Sequence, residues 1–366
     1  MKRGILNTVI ETRMDAGQKD GFMNNARKKV TLKDIAEATG FSINTVSRAL
    51  RGEKNIAPET LQKIQDAQMR MGYINNTLAS SLRRGYTNTI AVILGDVSNP
   101  HFGVMMREIE ARARMYGYTS FLQTTDENEA LEFSAIQSAL NKSVDGIIIC
   151  PCQQSDKNIQ YLESLGIPYV LIGRRCETAA ADYVICNDEL GGYQAAKMLI
   201  QNGHERILML QGSGNISSAR ERLEGYLRAH REAGLPVDGR LIREGSVMGQ
   251  NNNDLYEQIM KEDLHFTGVF AFSDLIAWDF WRFLHNSGYR VPEDYSIVGF
   301  DNIQSRLPVP FNLTSISSHK GRMSVEAVDV LVRRMRSQDN LPPMQVVIDT
   351  TLARGETVKN ISVKSL

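Results

Sequence analysis

Two apolar rhythms run along this chain, and they change over at about residue 90. Before it, apolar residues recur at three- and four-residue intervals in short bursts: Leu32, Ile35, Ala36 and Ala38, then Ile43, Val46, Ala49 and Leu50. That spacing lays each burst along one face of a helix. Thr31, with Asp34 three residues on, predicts the start of the first helix; Gly40 predicts its left-handed end and Ser42 the cap of the second. A third helix, "PETLQKIQDAQMRM", opens on Pro58 and ends at Gly72, with Tyr73 and Ile74 expected to dock on the module. Two short helices joined by a Gly-containing turn form a helix-turn-helix.

From Ile90 onward the pattern is one of continuous β-rich runs alternating with helical stretches. "IAVILGD" (90–96), "TSFLQTT" (119–125), "VDGIIIC" (144–150), "YVLIGR" (169–174) and "YVICND" (183–188) form one series. After "ELGGYQAAKMLIQNGH" a second series begins with "RILMLQGS", "GVFAFSD" and "YSIVGFD". Runs of this kind read as buried parallel strands, and the intervening helices make them βαβ units. Two series in tandem predict an α/β fold of two doubly wound parallel sheets, with a ligand cleft where the strand carboxyl ends face each other. The helix "SVEAVDVLVRRMRSQ" and the tail "MQVVIDTTLA" are expected to cross back between the lobes.

Length and composition agree with this division. A chain of 366 residues suggests two or three domains, and 42% hydrophobic with 23% charged residues is a globular composition. No apolar run approaches the ~18 residues of a membrane span, so no membrane partner is expected. Residues 1–28 are polar, are expected to be a disordered tail without the apolar core of a secretory signal, and include Met23 as a second candidate start. The four cysteines lack metal-ligand spacing and read as reduced cytosolic thiols, so no metal or cofactor is expected. Net charge is zero, yet residues 26–90 hold 11 Lys and Arg against 5 Asp and Glu. A basic module on a mildly acidic body points to a polyanion partner for the module.

The second helix has the side chains such a partner needs. Ile43, Asn44 and Arg48 would project toward base edges in a major groove, where Asn suits adenine and Arg suits guanine. Ser42, Thr45 and Ser47 carry short hydroxyls suited to phosphates. Beyond the third helix, "NNTLASSLRRG" is too short to be a stable isolated helix. Its Leu82, flanked by Ala79, Arg83 and Arg84, suits a minor-groove wedge that orders on DNA.

These stretches also resemble a known family. "VTLKDIAEATGFSINTVSRALRG", then "MGYINNTLASSLRRG" and "SNPHF", followed in order by "VDGIII", "RLEGY" and "VGFDN", resemble the lactose-repressor/galactose-repressor family of bacterial transcription regulators over residues 30 to about 355. The resemblance implies a helix-turn-helix headpiece, a hinge helix that folds in the minor groove, and a two-lobed core like periplasmic sugar-binding proteins. It implies a cytoplasmic, nucleoid-associated regulator, dimeric or a dimer of dimers, on near-palindromic double-stranded operator DNA. Carried across, backbone contacts fall at Thr31, Leu32, Ser42, Thr45, Ser47, Asn55 and Thr60, and hinge contacts at Asn76, Ala79, Leu82 and Arg83. The expected domains are the headpiece at 29–75, hinge and linker at 76–88, and an effector-binding and dimerisation core at 89–366. Within that core the first lobe takes about 89–187 and 318–338, and the second about 188–317 and 339–358.

Candidate effector contacts sit at strand ends. "GDVSNPHF" offers Asp96, His101 and Phe102, and "VGFDN" offers Asp301, a carboxylate able to accept two sugar hydroxyl protons. The family pattern adds Arg222 in "SARERLEGY", whose fork can bind paired hydroxyls or a carboxylate, and Arg174 after "YVLIG". Asp274 reads as a helix cap. The chain departs from the lactose and purine members after "EG": Val247 stands where they carry an aromatic platform, and Trp278 and Trp281 are candidates to compensate. Asp279 replaces the small residue usual in its turn, and Gly173 stands where an Asp is common. The effector is expected to be a carbohydrate or derivative that shifts the core between two arrangements, with ~1–3 kcal/mol of coupling per site.

Two rival readings are weaker. A periplasmic binding protein would account for residues 90–355 alone and leaves the headpiece unexplained. For an enzyme, "GSGNIS" (212–217) only faintly resembles a phosphate loop, and no catalytic triad or carboxylate pair has compelling spacing.

Overall fold

Thr31 and Ser42 set where the first two helices begin. The computed structural model describes residues 30–53, 55–74, 85–177, 180–246, 252–306, 311–337, 339 and 341–362. These fall into two units, divided between residues 83 and 84. In the first unit, α1 (Leu32–Thr39) opens on a reciprocal cap: the Asp34 amide donates to Thr31 Oγ1 at 3.3 Å, and the Thr31 amide donates to Asp34 Oδ2 at 2.7 Å. Gly40, at φ 74°, ends it in the left-handed region. The Ser42 hydroxyl then accepts from the Thr45 amide at 3.1 Å to start α2 (Ile43–Leu50), and α3 (Pro58–Met71) follows. Ile35, Val46, Ile64 and Ala67 close the small core, with Tyr73 against them. Ile74 does not dock as expected: it is 82% exposed, lying beyond the turn at Gly72 that carries Tyr73 inward.

The second unit contains two six-stranded sheets. The first runs in the order β11-β5-β4-β3-β1-β2, and the second β12-β10-β9-β8-β6-β7. In the first sheet β1 (Thr89–Leu94), β2 (Thr119–Thr124), β3 (Gly146–Ile149), β4 (Tyr169–Ile172) and β5 (Asp182–Cys186) pair in parallel. β1 shows why its run is apolar throughout. Ile90, Val92 and Leu94 meet α4 (Pro100–Met115), while Ala91 and Ile93 face α5 (Glu129–Asn141) and α6 (Lys157–Leu165). A strand covered on both faces has no polar side to display.

The second sheet repeats the scheme with β6 (Ile207–Gln211), β7 (Ile242–Glu244), β8 (Gly268–Ala271), β9 (Ser296–Phe300) and β10 (Thr314–Ser317). One face carries α7 (Asp188–Gln201) and α8 (Ser217–Glu232), and the other α9 (Asn253–Lys261) and α10 (Asp274–Asn286). α7 and α8 cross backbone to backbone. A Cβ on Gly192 would lie 2.1 Å from the Arg222 carbonyl oxygen, and one on Gly225 2.0 Å from that of Glu189. Only glycine permits that approach.

The chain passes between the lobes three times: before α7, between β10 and α11 (Lys320–Arg336), and between β11 (Gln345–Ile348) and β12 (Thr351–Ala353). α11 packs on the first lobe. The tail corrects one expected boundary. β11 pairs in parallel with β5, so residues 345–348 complete the first sheet, and only β12 adds to the second, antiparallel to β10. The run "MQVVIDTTLA" is two short strands split at Asp349 and Thr350, one for each lobe.

Candidate functional site

On α2 the polar residues are divided between holding the helix and facing outward. Ser42 Oγ lies 2.9 Å from Thr45 Oγ1 as well as capping the helix. Ile43 is 50% exposed, and Asn44 is exposed beside it. Half of the Ile43 side chain is therefore open to an incoming surface at the helix start. Val46 and Ala49 occupy the opposite, buried face. Arg48 lies one turn on from Asn44, with Nε donating to Glu53 Oε2 at 2.7 Å. Thr31 stands at the α1 N-terminus, Leu32 is half-buried, Ser47 and Thr60 are half-buried on α2 and α3, and Asn55 is exposed between those helices. The hinge positions Asn76, Ala79, Leu82 and Arg83 lie outside the described residues.

In the second unit a cleft of about 710 Å³ opens between the lobes at the carboxyl ends of the parallel strands. Asp96 follows β1, Glu127 follows β2, Cys150 follows β3 and Arg174 follows β4. From the second lobe, Ser213 follows β6, Glu244 ends β7, Phe272 follows β8 and Asp301 follows β9. The parallel topology alone brings these ends together.

Arg222 organises the cleft floor. The glycine-lined crossing of α7 and α8 sets it beside Asp188, and its Nε donates to Asp188 Oδ1 at 2.7 Å. Nη1 donates to the Phe272 carbonyl, and Nη2 lies 3.9 Å from Asp301 Oδ1. The guanidinium also lies over the Phe300 ring, 3.5 Å from its centroid. Burial pushes the Asp188 carboxyl up to about 6 even with Arg222 beside it. Asp301, φ 98°, is strained into the left-handed region and 5% exposed. His101 Nδ1 lies 3.3 Å from Asp301 Oδ1, yet no hydrogen bond is aligned on it and that nitrogen is buried. Burial, opposed by Asp301, pushes the imidazole down to about 4, so it is neutral near pH 7.

Arg174 and Asp96 are also engaged. Arg174 forks onto Glu127 at 2.6 and 2.8 Å and donates to the Pro151 carbonyl at 2.9 Å. Asp96 accepts from the Ser98 amide at 2.8 Å and from its hydroxyl at 2.7 Å. Burial pushes the Cys150 thiol up to about 12, which keeps it an unreactive wall. Among the described residues no cluster of His, Cys, Asp and Glu could hold a metal. At the rim the lobes are tied by Gln153, whose Oε1 accepts the Ser217 amide at 2.9 Å and whose Nε2 donates to the Arg175 carbonyl at 2.7 Å. α8 has no side-chain cap of its own, so the first lobe caps a second-lobe helix.

Residues 31–76 match the family of bacterial regulatory proteins, lacI family, and residues 87–349 match periplasmic binding proteins and the sugar binding domain of the LacI family. The chain belongs to the LacI family. The HTH-type transcriptional regulator DegA of Bacillus subtilis (strain 168) is 32% identical over 333 residues, covering 88% of this chain and 98% of DegA. Catabolite control protein A of Priestia megaterium is 31% identical over 311 residues, 84% of this chain and 93% of that protein. Among solved structures, a complex of the transcriptional regulator CelR with cellobiose is 26% identical with a TM-score of 0.68, covering 90% of this chain and 100% of that one. The Lac repressor dimer bound to operator and the anti-inducer ONPF shares the fold, with a TM-score of 0.78 at 24% identity, covering 91% of this chain and 100% of that one.

This LacI-family chain is therefore a DNA-binding transcriptional regulator with an effector-binding core. Among its described residues no helix is long and apolar enough to cross a membrane. Of the expected effector contacts, Asp96, His101, Phe102, Arg174, Arg222 and Asp301 all line the cleft. Trp278 does not: it sits one turn into α10 and packs against the second-lobe core. Trp281 likewise stacks on His285 and Phe311, so neither replaces the absent platform, and Val247 lies outside the described residues.

Asp279 proves structural, accepting from Asn252 at 3.0 Å and from the Tyr256 hydroxyl at 3.1 Å to tie α9 to α10. Ser273, rather than Asp274, caps α10. Asp274 is the first helical residue, wholly buried, accepting from the Ser315 hydroxyl at 2.6 Å and the Ile303 amide at 2.7 Å. In the family regulator's "GSGNIS" turn, the Gly214 amide donates to Glu244 Oε2 at 3.4 Å, a carboxylate where a phosphate loop would hold its anion. Asp188 and Phe272 were missed by sequence reading, although both follow strand ends where the open-sheet rule points.

Proposed function

We propose that this regulator is a repressor whose operator affinity is set by a small neutral polyhydroxylated effector, a carbohydrate or derivative, held in the interlobe cleft. The observation that carries this reading is the convergence of Asp301, Arg222 and His101 on one polar floor at the strand ends. A buried carboxylate accepts hydroxyl protons, and an adjacent neutral imidazole nitrogen and guanidinium N–H complete a set that suits paired hydroxyls. The compensation of Arg174 by Glu127 and of Arg222 by Asp188 favours an uncharged ligand over an acid or phosphate. Phe102, edge-on to His101 at 5.4 Å between centroids, offers an apolar wall.

For DNA, the reading assigns Ile43, Asn44 and Arg48 to base edges, and Thr31, Leu32, Ser42, Thr45, Ser47, Asn55 and Thr60 to the backbone. Asn76, Ala79, Leu82 and Arg83 are assigned to a hinge in the minor groove. The matched spans 31–76 and 87–349 support a headpiece over 29–75, a hinge and linker over 76–88 and a core from 89. The regulator acts on nucleoid DNA in the cytoplasm. The effector changes occupancy through its differential affinity for two lobe arrangements.

A thermal-shift screen of the full-length protein against sugars, sugar acids and sugar phosphates, followed by operator binding with each hit, tests it. A neutral sugar is expected to raise the Tm and change operator affinity, and Asp301→Asn to lose both responses. A sugar acid or phosphate as the only class of hit rejects the assignment.

A further inference from the structure

Beyond α2 the chain turns back sharply, and the turn delivers a carboxylate to the reading arginine. Gly52 takes φ 72°; its amide donates to the Ala49 carbonyl at 3.0 Å, and the Glu53 amide donates to the Arg48 carbonyl at 3.2 Å. This pair of bonds is the Schellman closure of a helix, and its left-handed residue is one glycine adopts without strain. The backbone of Glu53 is thus pinned to the backbone of Arg48. Its side chain reaches Arg48 Nε through Oε2 at 2.7 Å and Arg51 Nη2 through Oε1 at 3.2 Å, while Arg51 Nε donates to the Ser47 carbonyl at 3.2 Å. Taking the Nε edge leaves the two terminal Nη groups of Arg48, whose spacing matches guanine O6 and N7.

An exposed ion pair contributes little to folding, and a carboxylate on a DNA-facing helix opposes general attraction to phosphate. Those two costs make sense in the bound state. An arginine on a flexible stem meets a phosphate as readily as a base edge, whereas one whose Nε is already held needs less ordering to dock its fork. The carboxylate also repels the phosphates that would otherwise capture the guanidinium.

We propose that Glu53 is a positioning residue for base discrimination, holding the Arg48 guanidinium with its terminal fork presented to a guanine and weakening attachment to unrelated DNA. This rests on the reading of Arg48 as a base reader. The test uses full-length protein and an operator selected from a randomised duplex pool by the unaltered regulator. Binding is measured to that operator, to each of its single-base-pair variants and to an unrelated duplex. Arg48→Ala is expected to lose preference at one base pair. Glu53→Gln, matched in size, is expected to lose about tenfold in discrimination at that same pair, with binding to the unrelated duplex unchanged or tighter. Adding Glu53→Gln to Arg48→Ala is expected to cost no further discrimination.

Wild-type discrimination in Glu53→Gln, or an equal loss on every duplex, overturns the proposal and leaves Arg48 as reader. Wild-type preference at every position in Arg48→Ala overturns the reader assignment and the proposal together.

Discussion

On the headpiece, Ile43 and Asn44 stand in water while Arg48 is held by Glu53; on the cleft floor, Arg222 and Asp301 are buried, and Arg222 is bonded to Asp188. Ile43 and Asn44 are exposed on α2, whereas Arg222 and Asp301 each retain 5% of their exposure. The difference follows from the partners. A duplex brings a dense field of charge and releases counterions, so exposed side chains suffice to attract it. The neutral effector proposed for the cleft would bring no such field, so its polar partners would have to be desolvated and oriented before it arrives. The α2 face stays mostly open with its arginine held at one edge, whereas the cleft floor is buried as well as held.

That contrast implies unequal costs. Arg222→Ala is expected to be the most damaging change, because it leaves Asp188 and Asp301 buried without their cation. A loss of about 3–5 kcal/mol is expected in urea unfolding of the core. Both tryptophans lie on α10, so their fluorescence reports this lobe alone. A loss below 1 kcal/mol would mean the floor is no more organised than the headpiece surface.

Asp274→Asn probes the same burial through pH. Burial, with Asp301 adding to it, raises the Asp274 carboxyl from 3.8 to about 7 in the folded state. The folded protein therefore keeps a proton that the unfolded chain releases. Its contribution to stability is full below about pH 4 and is lost as pH rises through 7. The stability gap between wild type and Asp274→Asn is expected to shrink by about 1.4 kcal/mol per pH unit between pH 5 and 7.

In the headpiece, Thr31→Ala removes one half of the reciprocal cap on α1 and should cost about 1 kcal/mol. Faster hydrogen exchange of the α1 amides, with ligand-induced shifts in the core unchanged, would show it. The smallest effect is expected at the rim. Gln153→Ala removes neutral hydrogen bonds worth about 0.5–1.5 kcal/mol between the lobes. A several-fold weaker effector affinity, with binding to unrelated duplex unaltered, is the expected reading by titration calorimetry.

The two regions were also unequally legible. Headpiece signals are local: Thr31, Gly40, Ser42, Pro58 and Gly72 are read from neighbours a few residues away, and all sit at the helix ends they predicted. The Arg48–Glu53 contact escaped notice because it depends on the sign of φ at Gly52. In the core, long strands such as β1 and β6 declare themselves by unbroken apolar runs. β7 and β10 do not, since "IRE" and "TSIS" carry too little pattern in three or four residues. Strand ends pointed to Asp96 and Asp301, and both line the cleft. They could not reveal that Trp278 faces the second-lobe core, because one turn of α10 decides its direction and "DLIAWDFWRF" is apolar on more than one side.

The tail strand has a consequence for how the molecule is made. Gln345 pairs with Tyr183, so the first sheet borrows its outermost strand from chain that leaves the ribosome long after the rest of that sheet. At ~5–20 residues per second, the early lobe waits many seconds with the edge of β5 uncovered. Assembly is completed from the far end of the message, and a truncated nascent chain leaves both halves unfinished at once.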